Sequence, residues 1–384
     1  MRDPVSYSLR LRISAVILLV VAGHNGIERV ATAQTKTKGA TKTARVQRTR
    51  EEVNALIEKE GRTPPPWFAA AQLNYPKTLD LAWDQPPPGT PWNPQKNIGQ
   101  FVWDIINPNP GRWGEGVKFM HELLRVHKDD PEKLGRVMNT LGIMYHNLHE
   151  DYARAAFWWR KAGAEKQPES EYPRSGVHLA ECYYLLGNKE MAVELLQRLP
   201  DYWSAIKLWA DMGEIDKALK LCEDEIAKPD GEIASAYLMA GDVCRTAGRY
   251  QDALAYYQKL VTLKFPGQPT GWQNRCINRA RASIEAIKVF ELSDVTKVPD
   301  GVYKANSIGY EAQVFVEVTV KNKRIDAVKV TQHREKQFYS ALTDTPRKII
   351  DKQSVKGVDA TSNATITSEA IINSTAKALA AAVK

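Results

Sequence analysis

The stretch ASAYLMAGDVCRTAGRYQDALAYYQKLVTLKFP, residues Ala234 to Pro266, decides the fold of most of this chain. It reads as two helices that meet at Gly248. Small residues at Gly241 and Ala253 let two antiparallel helices approach closely, while Tyr237, Tyr250, Tyr257 and Leu260 fill the groove between units. The spacing recurs upstream. Gly213 and Ala218 precede Gly248 and Ala253 by 35 residues, and Gly187 and Ala192 lie 26 residues earlier again. Leu141, Gly142, Tyr145, Ala155, Trp159 and Ala162 mark a further unit. About four helical pairs are expected between residues 115 and 285, with helices near 117–128 and 272–290 as end caps.

Ala234–Pro266 resembles a tetratricopeptide repeat, and Ala155–Ala162 resembles its Sel1-like variant. The resemblance implies a helical solenoid that either presents a binding surface to a protein partner or acts as a rigid spacer. His146, His149 and His178 lie in this region without metal-ligand spacing and read as loop or surface residues. The four cysteines, Cys182, Cys222, Cys244 and Cys276, form no C-x-x-C motif. They fall in helical sequence, where buried free thiols are common, so no disulfide is assigned.

Beyond residue 295 the period changes. Valines at 314, 316, 318 and 320 alternate strictly within Gln313–Val320, as in a half-buried strand. Lys321-Asn-Lys323 reads as a tight turn, and alternation resumes from Arg324 to Gln332. A helical stretch runs from about Thr345 to Gln353. The chain closes with Asp359-Ala-Thr-Ser-Asn-Ala-Thr365, a small and hydroxyl-rich run leading into an amphipathic helix. Thr365 falls at or beside a helix N-terminus, where unpaired N–H groups and the helix dipole favour a phosphate. The plainer role for a threonine there is an N-cap.

Asp359, Ser362, Ala364 and Thr365 resemble the flavinylation motif of the FMN-binding domain, D-x-x-S/T-G-A-T, with Asn363 in place of the usual glycine. That domain occurs in extracytoplasmic electron carriers such as the flavin subunits of the Rnf complex and the sodium-pumping NADH:quinone reductase. Pro299–Tyr303, the two strands, their turn and the following helix stand in the order of that family. The resemblance covers about residues 297–384. It implies FMN as cofactor, held on Thr365 through a phosphodiester bond that a dedicated flavin transferase installs. Thr361, Ser362, Asn363 and Ala364 would line the same motif. His333 and Glu335 are the polar candidates nearest the strand end, either facing the flavin or forming a solvated turn. Phe338 and Tyr339 either stack on the ring or belong to the core.

Charge is spread unevenly. Residues 51–296 hold 29 basic and 34 acidic residues, a net of −5, whereas residues 297–384 hold 14 and 9, a net of +5. The high isoelectric point therefore does not signal nucleic-acid binding. The opposite signs suggest intramolecular docking or partners of opposite charge. Residues 34–50 carry six basic and no acidic residues and read as a disordered tether. Residues 62–113 hold eleven of the 21 prolines and five of the ten tryptophans, a composition that either binds a partner groove or, as expected here, wraps extended along its own domain. Residues 1–33 read as a secretory signal peptide, with Arg2, Arg10 and Arg12 before the apolar run Ile13–Gly23 and Ala31-Thr-Ala33 as cleavage site, the alternative being an uncleaved anchor.

The expected order is thus a signal peptide at 1–33, a tether and Pro/Trp-rich segment at 34–114, repeats at 115–296 and an FMN-binding domain at 297–384. The fold class is α+β, an all-α tetratricopeptide-like solenoid followed by a small α+β domain. The function that follows is a periplasmic electron carrier rather than a substrate-transforming enzyme. Its repeats would dock an extracytoplasmic or membrane redox protein. The alternative is a non-redox adaptor with a vestigial flavin domain, and a cleavable junction is expected between about Glu291 and Pro299.

Overall fold

The computed structural model describes residues 46–87, 89–166, 173–199, 205–228, 231–310, 312–335, 340–358, 360–361 and 364–383. The signal-peptide segment 1–33 and the tether up to residue 45 lie outside the described residues, as do Phe338 and Tyr339.

Helix α1 (Arg50–Arg62) starts at a capping box in which Thr49 and Glu52 satisfy each other's backbone N–H. After a short turn of helix, α2 (Ile98–Phe101), the solenoid begins with α3 (Trp113–Val126). Four antiparallel pairs follow. They are α4 (Pro131–Asn147) with α5 (Tyr152–Lys161), α6 (Pro173–Leu185) with α7 (Lys189–Gln197), α8 (Ile206–Asp211) with α9 (Ile215–Ala227), and α10 (Ile233–Thr246) with α11 (Tyr250–Thr262). The array ends in α12 (Gly271–Val289). A Cβ on Gly241 would lie 2.3 Å from the ring of Tyr257, and one on Gly142 would lie 2.6 Å from Trp159. The small residues therefore do what their spacing implies, admitting the partner helix's aromatic ring. The turns at Gly187, Gly213 and Gly248 all have positive φ, which glycine adopts without a steric penalty.

The Pro/Trp-rich segment wraps over the first helices. Trp67 stacks on His149 with ring centroids 4.6 Å apart. Trp83 is buried, and its carbonyl accepts a 2.5 Å hydrogen bond from Arg136. The extended backbone of a proline-rich chain has few ladder bonds of its own, and Arg154 and Lys118 supply donors to the carbonyls of Thr63 and Ala71.

His146 departs from the surface role expected of it. It is buried, with Nε2 3.2 Å from the carboxylate of Glu181. Burial opposes the Glu181 charge, but His146 and His178 hold its carboxyl well below the usual range. The sequence shows each of these residues alone. Only the packing of α4 on α6 makes them one buried polar cluster. All four cysteines are buried and free. Among the described residues no helix is long and apolar enough to cross a membrane.

The C-terminal part is a three-stranded antiparallel sheet in the order β1 (Gly301–Ile308), β2 (Gln313–Lys321), β3 (Arg324–Gln332). Val314, Val316, Val318 and Val320 all point into the core. The β2–β3 turn is two residues long, with Asn322 and Lys323 at φ of 51° and 58°. That is the geometry of a type I′ hairpin, in which glycine is common. Here the carboxylate of Asp300 accepts the N–H of Asn322 at 2.9 Å and so holds the turn. Helices α13 (Ala341–Lys352) and α14 (Thr365–Ala382) cover the sheet.

Helix α14 explains how the two parts join. Every residue from Thr367 to Ala376 is buried, polar ones included. A helix buried on all sides must be packed on all sides. One face lies on β1 and β2, and the other meets α12 of the repeat array. The junction itself is packed, not a loose seam. Phe290, Ser293 and Val295 are buried within two short 3-10 turns, Val298 is buried just after them, and Lys356 reaches back to Glu291 at 2.6 Å. Residues 291–297, where a cleavable junction was expected, thus form two short 3-10 turns with alternating buried and exposed residues.

Candidate functional site

Thr365 is the first residue of α14, and the cap position before it is Ala364. The N-cap role anticipated for the threonine therefore falls to a residue with no side-chain acceptor. The first-turn N–H groups receive no side-chain cap bond, and Thr365's hydroxyl has no hydrogen-bond partner among the described residues. The threonine is half-buried. A hydroxyl with no competing hydrogen bond among the described residues, beside the first-turn N–H groups at the positive end of an 18-residue helix, suits a phosphate ester.

The rest of the motif is anchored from below. Thr361 is buried and donates its hydroxyl to Asp344 of α13 at 2.7 Å and its N–H to Ser368 of α14 at 2.9 Å. Thr345 donates to the same Ser368 at 3.0 Å. The N–H of Ala364 donates to the carbonyl of Thr361 at 2.9 Å, which brings the two described ends of the motif together. Asp359, Ser362 and Asn363 lie outside the described residues. Burial opposes the charge on Asp344, but Lys348 at 2.7 Å, the Thr361 hydroxyl and Arg347 hold its carboxyl below the usual range.

Glu335 belongs to this site and is no solvated turn. It is 4% exposed, accepts the N–H of Tyr310 at 2.9 Å, and accepts the hydroxyl of Thr367 two residues past Thr365. A Cβ on Gly309 would lie 2.6 Å from the Glu335 carboxylate, so the β1–β2 loop approaches as only glycine permits. His333 is also buried, at the end of β3. The structure thus brings Thr361, Ala364, Thr365 and Glu335 to the N-terminal end of α14.

Residues outside the motif complete the arrangement. Arg275 of α12 lies with its guanidinium 4.8 Å from the Tyr310 ring centroid. One turn into α14, Glu369 is ion-paired to Arg279 at 2.8 Å and Arg245 at 3.1 Å. Arg279 also meets Asp242 at 3.3 Å, Tyr257 donates to Asp242 at 2.6 Å, and Arg245 donates to Asn373 at 3.3 Å. Burial, then the neighbouring Glu369, pushes Asp242 up to about 7. Burial also opposes the Glu369 charge, yet Arg279 and Arg245 hold it below the usual range. From the first pair, Glu150 sits at φ 52° in the turn position that Gly187, Gly213 and Gly248 fill elsewhere. Burial raises its carboxyl, and nearby Asp344 adds to the effect while Arg347 and Lys348 oppose it. That missing glycine was the one sequence signal for Glu150; none marked Asp344, Arg275 or Glu369.

Comparison with known proteins fits this geometry. Residues 309–380 match the family model of the FMN-binding domain. Residues 174–205 and 234–265 match tetratricopeptide repeat models. The chain is 38% identical over 142 residues to an uncharacterized protein of Treponema pallidum (strain Nichols). That match spans 36% of this chain and 39% of the relative. The chain therefore combines tetratricopeptide repeats with a C-terminal FMN-binding domain, and FMN is the cofactor this domain indicates. Repeats of this kind are protein-interaction modules.

Proposed function

We propose that this protein is an extracytoplasmic flavoprotein that carries FMN as a phosphodiester on Thr365 and transfers electrons. The observation that carries the reading is Thr365 itself, first in its helix, whose hydroxyl has no hydrogen-bond partner among the described residues and whose helix receives no side-chain cap from Ala364. Bound FMN would supply reversible acceptance and donation of electrons. The chain's own residues do the rest. The hydroxyl oxygen of Thr365 would form the ester bond to phosphorus while the pyrophosphate bond of a flavin dinucleotide donor breaks, the nucleoside monophosphate leaving and the hydroxyl proton passing to the transferase. The first-turn N–H groups of α14 offset phosphate charge. Glu335 fixes the 309–310 loop against that turn. Asp344, Thr345 and Ser368 hold Thr361 and with it the motif.

The export-type N-terminus supports a periplasmic site of action, and surfaces of the repeat array away from α14 are the places for a redox partner to dock. Co-expression with a flavin transferase should give a yellow protein whose band fluoresces after denaturing electrophoresis. Thr365→Ala should lose that fluorescence and keep the circular dichroism spectrum of the wild type. Fluorescence that survives in Thr365→Ala refutes the attachment site.

A further inference from the structure

We propose that Arg275, a residue of the repeat array, binds the phosphate of the flavin nucleotide, so that the repeats complete the cofactor site. The proposal rests on FMN being held at Thr365. Two independent lines of geometry lead to it.

The first is helix register. Arg279 of α12 pairs with Glu369 of α14 at 2.8 Å, and Glu285 pairs with Lys377 at 2.9 Å. Residue numbers rise together along both helices, so α12 and α14 run parallel. Residues four apart lie on one face of a helix. One turn back from Arg279 is Arg275, and one turn back from Glu369 is Thr365. The same register that seats Glu369 between arginines therefore sets Arg275 opposite Thr365.

The second is a chain of contacts. Arg275 lies over Tyr310, the N–H of Tyr310 donates to Glu335, and Glu335 accepts the hydroxyl of Thr367 in the first turn of α14. Strand β1 runs back from the end of α12 and delivers Tyr310 to the same end of the helix pair.

The state of the guanidinium fits the role. Arg245 and Arg279 are both ion-paired, whereas Arg275 has no hydrogen bond or ion pair among the described residues. The rings of Tyr310 and Trp272 lie 4.8 and 6.0 Å from it. Stacking engages the planar face of a guanidinium and leaves its N–H edge, the part that binds phosphate oxygens in pairs. A stacked, half-buried arginine with no acid paired to it among the described residues, set in register with the N-terminus of α14, is a site for an anion that both can share.

The test uses the full chain made without the transferase and titrated separately with FMN and with riboflavin, which differ only in the phosphate. Wild-type protein should bind FMN more tightly than riboflavin. Arg275→Gln should weaken FMN binding by about tenfold or more, the scale of a lost charge-assisted contact, and leave riboflavin binding unchanged. Arg275→Lys should restore part of the preference. Riboflavin affinity serves as the check on folding. If Arg275→Gln leaves FMN affinity unchanged, or weakens both flavins equally, the phosphate assignment is wrong. If wild-type protein binds neither flavin, or binds riboflavin as tightly as FMN, the Arg275 assignment is wrong, whereas the attachment at Thr365 stands or falls on the gel fluorescence of the co-expressed protein.

Discussion

Removing the Glu369 carboxylate should unseat the flavin domain from the repeats. Glu369 is 3% exposed, and the side chains of its partners Arg245 and Arg279 are each 9% exposed. Three charges are thus held out of water, two positive and one negative, with Asp242 beside them. Glu369→Ala leaves two buried guanidiniums. Loss of the neighbouring negative charge lets Asp242 ionise, since Glu369 is one cause of its raised pKa. That compensates one arginine and leaves the other alone. Breaking a buried pair by removing one partner costs about 3–5 kcal/mol. A domain's whole stability is only about 5–15 kcal/mol, so the loss is large. Urea unfolding followed by circular dichroism measures it as a shift in midpoint at constant slope. Glu369→Gln should lose less, because the amide keeps some hydrogen bonding. Arg245→Met, Arg279→Met and Glu369→Leu combined with Asp242→Asn should recover most of the loss, as apolar or neutral replacements of whole buried networks do. A Glu369→Ala protein within about 1 kcal/mol of the wild type would show that these charges are solvated, and the argument for a fixed flavin domain would fail.

Two further outcomes follow from single residues. Lys323 holds φ 58° in the β2–β3 turn, a conformation that costs a side chain about 1–2 kcal/mol; Lys323→Gly should relieve it, less the entropy of a glycine, for a gain of up to about 1 kcal/mol in thermal or urea unfolding. His121, packed edge-on against Phe68 and Trp158, is lowered by burial to about 4. The unfolded chain then binds more protons below its ordinary imidazole pKa, so stability is full above about pH 6.5 and falls toward pH 4, by up to ~1.4 kcal/mol per pH unit. His121→Phe should flatten that slope in unfolding measured from pH 7 to 4, and an unchanged slope would assign the acid sensitivity to other groups.

The repeat pairs and the sheet were legible because each is written in a local period. Small residues at fixed spacing leave room for Tyr257 and Trp159, and alternating valines make one strand face apolar. The flavin motif was legible as a short run. What escaped the sequence was everything that depends on two distant segments meeting. Glu335 and Thr367 lie 32 residues apart, Arg279 and Glu369 lie 90 apart, and neither pair has a local pattern. The uniform burial of α14 was also misjudged. Its Ser, Thr, Asn and Glu residues suggest a polar solvent face, yet that face is covered by α12. The same contact sets the terms on which the two modules could be separated.

The net charges of the two parts had the right sign for docking and the wrong residues. A domain of net +5 meets a region of net −5, and the exposed pairs Lys356–Glu291 and Lys377–Glu285 run in that direction. Such pairs are worth about 0–1 kcal/mol and are screened by salt. The buried lock runs the other way, with the acid on the basic domain and both arginines on the acidic array. Net charge governs long-range attraction, but a buried interface is decided by which individual charges lose water and what they meet instead. Docking here should therefore resist salt, because its main ionic contact is out of reach of the counterions. It should instead fail on loss of a single carboxylate, and salt titration beside the Glu369 variants separates the two contributions. High salt that released the flavin domain of the wild-type protein to proteolysis would show that the exposed pairs carry the interface.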